Sequence, residues 1–245
     1  MKLPDLSEFE LSEFISICRD HLALSGYTTQ QVPLLTPALE EEILAAGKPF
    51  ISPNFSTRLS DFTHENGFWV TLRHEGRLVG TVAARVDRIG HEAFGDYLER
   101  VFSKQYPMED GPSVKAALPG VLAGVHGDIV YMGDMYFHPE HRGNIAKTIC
   151  FVRAAFGAVF MKWQSVGMLF AFQRYADDLA GKVAQYGFCS GQYQGVIEWR
   201  DPPDWRSSTE VLSVLEREEF MRRAGIVLRN PYLITDPPLR GKASP

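Results

Sequence analysis

The sequence predicts an α/β fold built on a mixed sheet, and three observations carry that prediction. Residues 67–86 form two apolar runs around His74-Glu75-Gly76, the pattern of a tight antiparallel hairpin. Residues 128–163 read as an apolar strand, a proline stop, a short basic turn and a long apolar helix. Residues 168–199 continue as strand, helix and strand.

In chain order, residues 7–24 are expected to be helical. Ser7 and Glu10 can form a capping box, and Phe9, Phe14, Ile15, Cys18 and Leu22 can share an inward face. Thr36-Pro37 predicts a second helix that ends before Gly47. The hairpin strands span Gly67–Arg73 and Arg77–Val86. Residues 88–127 interrupt the strand pattern, with a helix over Glu92–Tyr106 and a Pro/Gly/Asp-rich break at 107–113. In that helix Phe94, Tyr97, Leu98, Val101 and Phe102 recur at helical spacing, as a lid or dimer packing face would. Strand 128–137 precedes a helix over Ile145–Trp163. A strand at Met168–Phe172, a helix at Ala176–Tyr186 and a strand at Gln192–Trp199 follow. Residues 201–207 read as a linker and Thr209–Arg223 as a charged amphipathic helix. A short apolar piece, Ile226–Leu233, precedes a Pro-rich tail.

The chain has 245 residues, 45% of them apolar and 22% charged, which suits a packed core. The formal net charge of −5 argues against a nucleic-acid partner. Cys18, Cys150 and Cys189 are scattered, with neither metal-ligand spacing nor a disulfide framework, so no metal and a cytoplasmic location are expected. The N-terminus lacks the apolar run of a signal peptide. Lys147, Arg153 and Lys162 interrupt the longest apolar stretch, which therefore reads as a buried helix and not a membrane span.

The chemistry concentrates in Asp128–Lys147. Pro139 ends the strand because it has no N–H for a central ladder. Arg142 offers a bidentate fork suited to phosphate oxygens. Gly143 and Asn144 accept positive φ readily, which curls backbone N–H groups inward, and the next helix adds its N-terminal partial charge. Together these make a phosphate or pyrophosphate cradle. An ordinary strand-to-helix turn with a surface Arg is the bland alternative.

Residues 67–199 resemble the GNAT superfamily of N-acetyltransferases. Phe137-His138-Pro139 stands where the family has a Val-x-Pro-like step. Arg142-Gly143-Asn144-Ile145-Ala146 is a shortened or altered form of its Arg/Gln-x-x-Gly-x-Gly/Ala loop, and Tyr186-Gly187-Phe188 matches its Gly-Phe step. Aligned on Arg142, the loop carries Ile145 and Lys147 at the glycine positions. Shifted by one, His141 and Asn144 replace Arg/Gln and glycine, while Ala146 fits.

The resemblance implies a GNAT-like mixed, mostly antiparallel central sheet flanked by helices. Residues 1–200 would form the acyltransferase domain, with an insertion at about 88–127, and residues 201–245 a C-terminal extension packed on it. It implies acetyl-CoA or a longer acyl-CoA as co-substrate, held by Met135, Phe137, His138, Arg142, Gly143, Asn144, Ile145, Ala146 and Lys147. The implied reaction is direct attack of a primary amine on the thioester. Asp134, the one carboxylate inside the strand's apolar run, is the first candidate base, with a structural partnership to an Arg such as Arg85 as the alternative. His138 is the second, since histidine changes charge near neutral pH. Arg58 and Trp69 are candidates for the acceptor side, where an Arg and aromatic lining would suit an acceptor carrying an acid group. The position of the family's usual acid, a Tyr, is Val183, and neither Tyr186 nor Tyr175 matches it.

Three readings follow. The first is an N-acyltransferase acting on a small-molecule or peptide amine. The second is a long-chain N-acyl synthase that takes its acyl group from acyl-CoA or acyl carrier protein, and the third a non-catalytic acyltransferase-like module. A homodimer is compatible with all three.

Overall fold

The structure, a computed structural model, describes residues 6–235. The Pro-rich tail from residue 236 onward and residues 1–5 lie outside the described residues.

Ser7 caps α1 (Glu8–Ala23) through the expected box. Its hydroxyl accepts from the Glu10 N–H at 3.2 Å, and the Glu10 carboxylate accepts from the Ser7 N–H at 2.8 Å. Thr36 caps α2 (Pro37–Ala45), accepting from the Leu39 N–H at 3.2 Å. Between them lies β1 (Tyr27–Val32), which the sequence reading missed. It is an edge strand on which no residue is fully buried, so Tyr-Thr-Thr-Gln-Gln-Val carries little of the apolar alternation that marks a strand.

The hairpin forms as predicted from β2 (Gly67–His74) and β3 (Arg77–Gly90), joined by Glu75 at φ 50° and Gly76 at φ 78°. The insertion holds α3 (Phe94–Gln105), β4 (Val114–Ala116) and α4 (Gly120–Ala123). Strand β5 (Gly127–Phe137) leads through a short turn into α5 (Ile145–Lys162), then β6 (Met168–Gln173).

Three expectations are corrected downstream. The helix expected over 176–186 divides at Ala180-Gly181 into α6 (Tyr175–Leu179) and α7 (Lys182–Tyr186). The strand expected over 192–199 divides at Gly195 into β7 (Gly191–Gln194) and β8 (Ile197–Trp199), which belong to different sheets. The helix expected over Thr209–Arg223 is instead β9 (Val211–Glu216) followed by α8 (Arg217–Arg229). Val211 to Leu215 are all buried, because β9 runs inside the sheet between β6 and β7. A strand covered on both faces shows a continuous apolar run, and a run that short also fits one face of a helix.

The main sheet has seven strands in the order β1-β2-β3-β5-β6-β9-β7, and every pairing is antiparallel except β5 with β6. This is the mixed, mostly antiparallel sheet flanked by helices that was expected. Helices cover both faces. On one, α1, α5 and α8 pack against Phe68, Val70 and Leu72, and Phe220 of α8 touches Phe14 of α1 and Phe160 of α5 with ring centroids 5.5 and 4.8 Å apart. On the other, α2 and α3 pack around Trp69, with Phe94 of α3 edge-on to Phe170 of β6 at 5.1 Å. The long helix α5 is buried almost all round, as its apolar sequence predicts. No helix of the described residues is long and apolar enough to cross a membrane.

Two features open the middle of the sheet. Strands β5 and β6 pair only from Ile129↔Met168 to Tyr131↔Phe170, and beyond that both run on without pairing to each other. Strand β5 also bulges: Ala83 faces Gly133 but Thr81 faces Tyr136, so β5 spends one more residue than β3 over that step. Asp134 in the bulge takes φ 53°, and the Thr81 hydroxyl fixes it by donating to the Asp134 carbonyl at 3.1 Å. The parted strand ends leave a cleft.

Candidate active site

The cleft holds a cavity of about 880 Å³ that spans both sides of the splayed strands. At one end it is lined by Phe137, Arg142, Gly143, Asn144, Ile145 and Thr148. The turn after β5 puts them there. Pro139 starts a single 3-10 turn, and Arg142 folds back so that its Nε donates to the Phe137 carbonyl at 2.9 Å. Gly143 then turns the chain at φ 88°, a conformation only glycine adopts at little cost, with nothing within 4 Å of where a Cβ would sit. Asn144 caps α5, its side chain accepting from the Lys147 N–H at 3.0 Å. Helix geometry leaves the N–H groups of Asn144, Ile145 and Ala146 without intrahelical acceptors. This end therefore presents donors, one guanidinium and a helix N-terminus to an anion. Across the cleft stand Arg174 and Lys182, both ion-paired with Asp177 at 2.7 Å.

At the other end the cavity meets buried charge. Asp134 pairs with Lys48 at 3.3 Å and accepts from the Ser52 N–H at 3.0 Å, and the two side chains are only 5% and 6% exposed. Arg85, the partner the sequence suggested for Asp134, is taken instead by Asp61 and Asp87 at 2.7 and 3.0 Å. A second buried pair, Arg206 with Glu210 at 3.2 Å, lines the same end beside Tyr131. Burial works against the Arg206 charge, but Tyr131 and Glu210 outweigh it and hold its pKa well above the usual value. Burial pushes the Glu210 carboxyl up against the pull of Arg206. Phe50 and Trp205, with centroids 4.5 Å apart, close the cleft between residues 48–52 and the segment before β9.

Of the residues singled out in the sequence, Asp134, Met135, Phe137, Arg142, Gly143, Asn144 and Ile145 line this one cavity. The others lie elsewhere. His138 sits at the outer side of the turn, where its Nδ1 accepts from the Glu140 N–H at 3.4 Å. Ala146 is on the first turn of α5, next to the lining residues. Lys147 points away beneath the loop, its ammonium donating to the His141 carbonyl and lying 4.7 Å from the Tyr27 ring centre. Burial lowers its pKa. Trp69 is fully buried against Phe55, and Arg58 is exposed on a neighbouring loop. His138, Glu140 and His141 are the one group of described residues whose potential metal-ligating atoms lie within 4.8 Å of one another. The Nδ1 atom of His141 is already engaged, 2.9 Å from the Tyr27 hydroxyl.

The sequence reading missed Lys48, Ser52, Tyr131, Arg174, Lys182, Arg206 and Glu210. Most lie in loops or at strand ends, and nothing in their local pattern says which charges will be buried together. The one available signal was Trp205-Arg206, a large aromatic and a cation inside an otherwise polar linker. Tyr186, which in the sequence did not match the expected acid position, lines the cavity beside Gln185 and Phe188. Burial and the nearby Asp177 raise its pKa, so its hydroxyl keeps its proton at neutral pH.

No family model and no curated protein matches the chain. Solved structures of similar fold include Arabidopsis thaliana NAA60 in complex with acetyl-CoA, at 9% identity over 78% of this chain and 98% of that one, with a TM-score of 0.48. They also include FeeM, an N-acyl amino acid synthase from uncultured soil microbes, at 10% identity over 83% and 96% of the two chains, with a TM-score of 0.44. A third is the aminoglycoside N(6')acetyltransferase of Legionella pneumophila, at 8% identity over 81% and 96%, with a TM-score of 0.44. These are likenesses of fold.

Proposed function

We propose that this chain is an N-acyltransferase that moves an acyl group from an acyl-CoA to a primary amine by direct attack. One observation carries the reading: the anion-binding turn at Arg142–Ile145 and the buried carboxylate Asp134 open into the same cleft, between strands parted by a bulge. A thioester with a pyrophosphate arm needs that layout, an anion cradle at one end and proton-handling groups at the other.

Arg142 and the free N–H groups at the start of α5 hold the pyrophosphate. The bulged backbone at Asp134–Phe137 orients the thioester. The amine arrives as an ammonium and passes a proton through water to Asp134, which lines the cavity where His138 does not. The amine nitrogen then bonds to the carbonyl carbon, the C–S bond breaks, the leaving thiolate takes the proton of the Tyr186 hydroxyl, and the second proton that the nitrogen sheds as it becomes an amide returns through water to Tyr186. Lys48 and the Ser52 N–H keep Asp134 in place throughout.

The long-chain reading draws support from a second observation. Val82, Met132, Val152, Phe156, Ala171 and Phe188 form an apolar floor to the same cavity, below the parted strands. A chain of several methylenes would bury there at about 0.8 kcal/mol each.

The test is a thiol-release assay across acyl-CoA donors from acetyl to dodecanoyl, each with a panel of primary amines. Amine-dependent release is expected, with its donor optimum set by the apolar floor. Binding of donors without release by any amine favours the non-catalytic module. Failure of every medium and long donor while acetyl-CoA turns over dismisses the long-chain reading.

A further inference from the structure

Arg206 lies in the connection between β8 and β9, with its side chain 7% exposed. Its Nη1 donates to both carboxylate oxygens of Glu210, at 3.2 and 3.4 Å, and its Nη2 to the Tyr131 hydroxyl at 3.2 Å. Its Nε is buried without an acceptor. The Nε–Nη2 edge is a fork that takes a carboxylate in two parallel bonds, as Arg100 does here with Glu92 at 2.8 and 2.7 Å. Glu210 occupies the other nitrogen. The fork of Arg206 is left with one donor unpaired and the other on a neutral hydroxyl, and Arg206 is among the residues that line the cavity.

The guanidinium is also fixed in place. Its central carbon lies 5.2 to 5.9 Å from the ring centres of Phe102, Phe172 and Trp199. An unpaired buried donor held this rigidly costs free energy unless a ligand completes it.

The charges around the cavity point to the sign of that ligand. The carboxylates among its described lining residues are Asp134, Asp177 and Glu210, and each is already ion-paired. A second cationic group on the acceptor would find no free carboxylate. An acid group would find Arg206, whose Nε has no acceptor.

Position agrees with sign. The Tyr131 hydroxyl links the guanidinium to strand β5 next to the bulge: a Cβ on Gly133 would lie 3.2 Å from that hydroxyl, and Asp134 follows directly. A carboxylate on the fork therefore sits close to where an amine meets Asp134.

We propose that Arg206 reads a carboxylate on the acceptor, which makes the acceptor an amino acid or another amine that carries an acid, and not a polyamine or simple amine. The proposal rests on the reading of the cleft as an N-acyltransferase site. It also relocates an expectation from the sequence, where Arg58 and Trp69 were to meet an acidic acceptor. The structure puts Arg206 and Trp205 at the cleft instead.

The test is calorimetric titration of the full chain, without donor, against the standard amino acids, their C-terminal amides and their decarboxylated amines. At least one acid is expected to bind about tenfold or more tighter than its own amide. Arg206→Gln would leave Glu210 buried without its partner, so it is made together with Glu210→Gln, and this double variant is expected to erase the ratio. Equal or tighter binding of amides and amines overturns the proposal. So does binding by no acid, or a ratio that persists in the double variant. Thiol release is followed separately. Acid selectivity without release for any donor counts against the transferase reading alone, and release with simple amines without acid selectivity counts against Arg206 alone.

Discussion

At the end of the cleft proposed to hold the donor, a contiguous stretch from Phe137 to Ile145 presents exposed backbone donors and one Arg. At the end proposed to hold the acceptor, two buried ion pairs are assembled from residues 48–52, 131–134 and 205–210. The donor end is built from backbone geometry: a proline stop, a glycine at φ 88° and a capped helix start. The acceptor end is built from side chains that the fold brings out of water, where each charge depends on its partner. The first kind of site tolerates sequence change and discriminates little. The second is costly to assemble and discriminates through its pairs.

That contrast can be broken at either end, and the buried end should respond more strongly. Asp134→Asn removes the proposed proton acceptor while keeping shape and is expected to lower kcat by about 10²–10⁴-fold, read by thiol release on protein with an unchanged circular dichroism spectrum. Lys48→Met leaves Asp134 buried without its cation and should cost about 3–5 kcal/mol of stability in urea unfolding. The double variant Lys48→Met/Asp134→Asn removes both charges and should regain part of that loss. No recovery would mean that Lys48 acts mainly through packing.

Changes at the donor end should be smaller and confined to binding. Arg142→Ala is expected to weaken acyl-CoA binding by about 1.5–3 kcal/mol, the value of a charge-assisted contact, with kcat nearly unchanged. Gly143→Ala has open space for its Cβ, so its effect is conformational, about 1–2 kcal/mol, and should appear as a modest rise in donor KM. A loss in kcat as large as that of Asp134→Asn would erase the distinction between the two ends.

The same contrast explains what the sequence revealed. Strand β5, its proline stop and the turn into α5 were legible because local rules of capping and backbone freedom set them. The hairpin at Glu75-Gly76 was legible for the same reason. Strand β9 was misread as helix because Val211–Leu215 is apolar on both faces, and only its place between β6 and β7 explains that pattern. Asp134 was visible as a carboxylate in an apolar run. Its partner was not, because Lys48 is 86 positions away and the choice between Lys48 and Arg85 depends on the bulge. Arg206 and Glu210 were hidden for a related reason: the connection that carries them looks like a solvated linker until it folds over Phe102, Phe172 and Trp199.

The most direct test of the account is calorimetric titration of acetyl-CoA and decanoyl-CoA into the wild-type chain and into Arg142→Ala. One donor site per chain is expected, with micromolar affinity for at least one of the two, weakened about tenfold or more by the substitution. No binding of either donor, or binding that Arg142→Ala leaves unchanged, would contradict it.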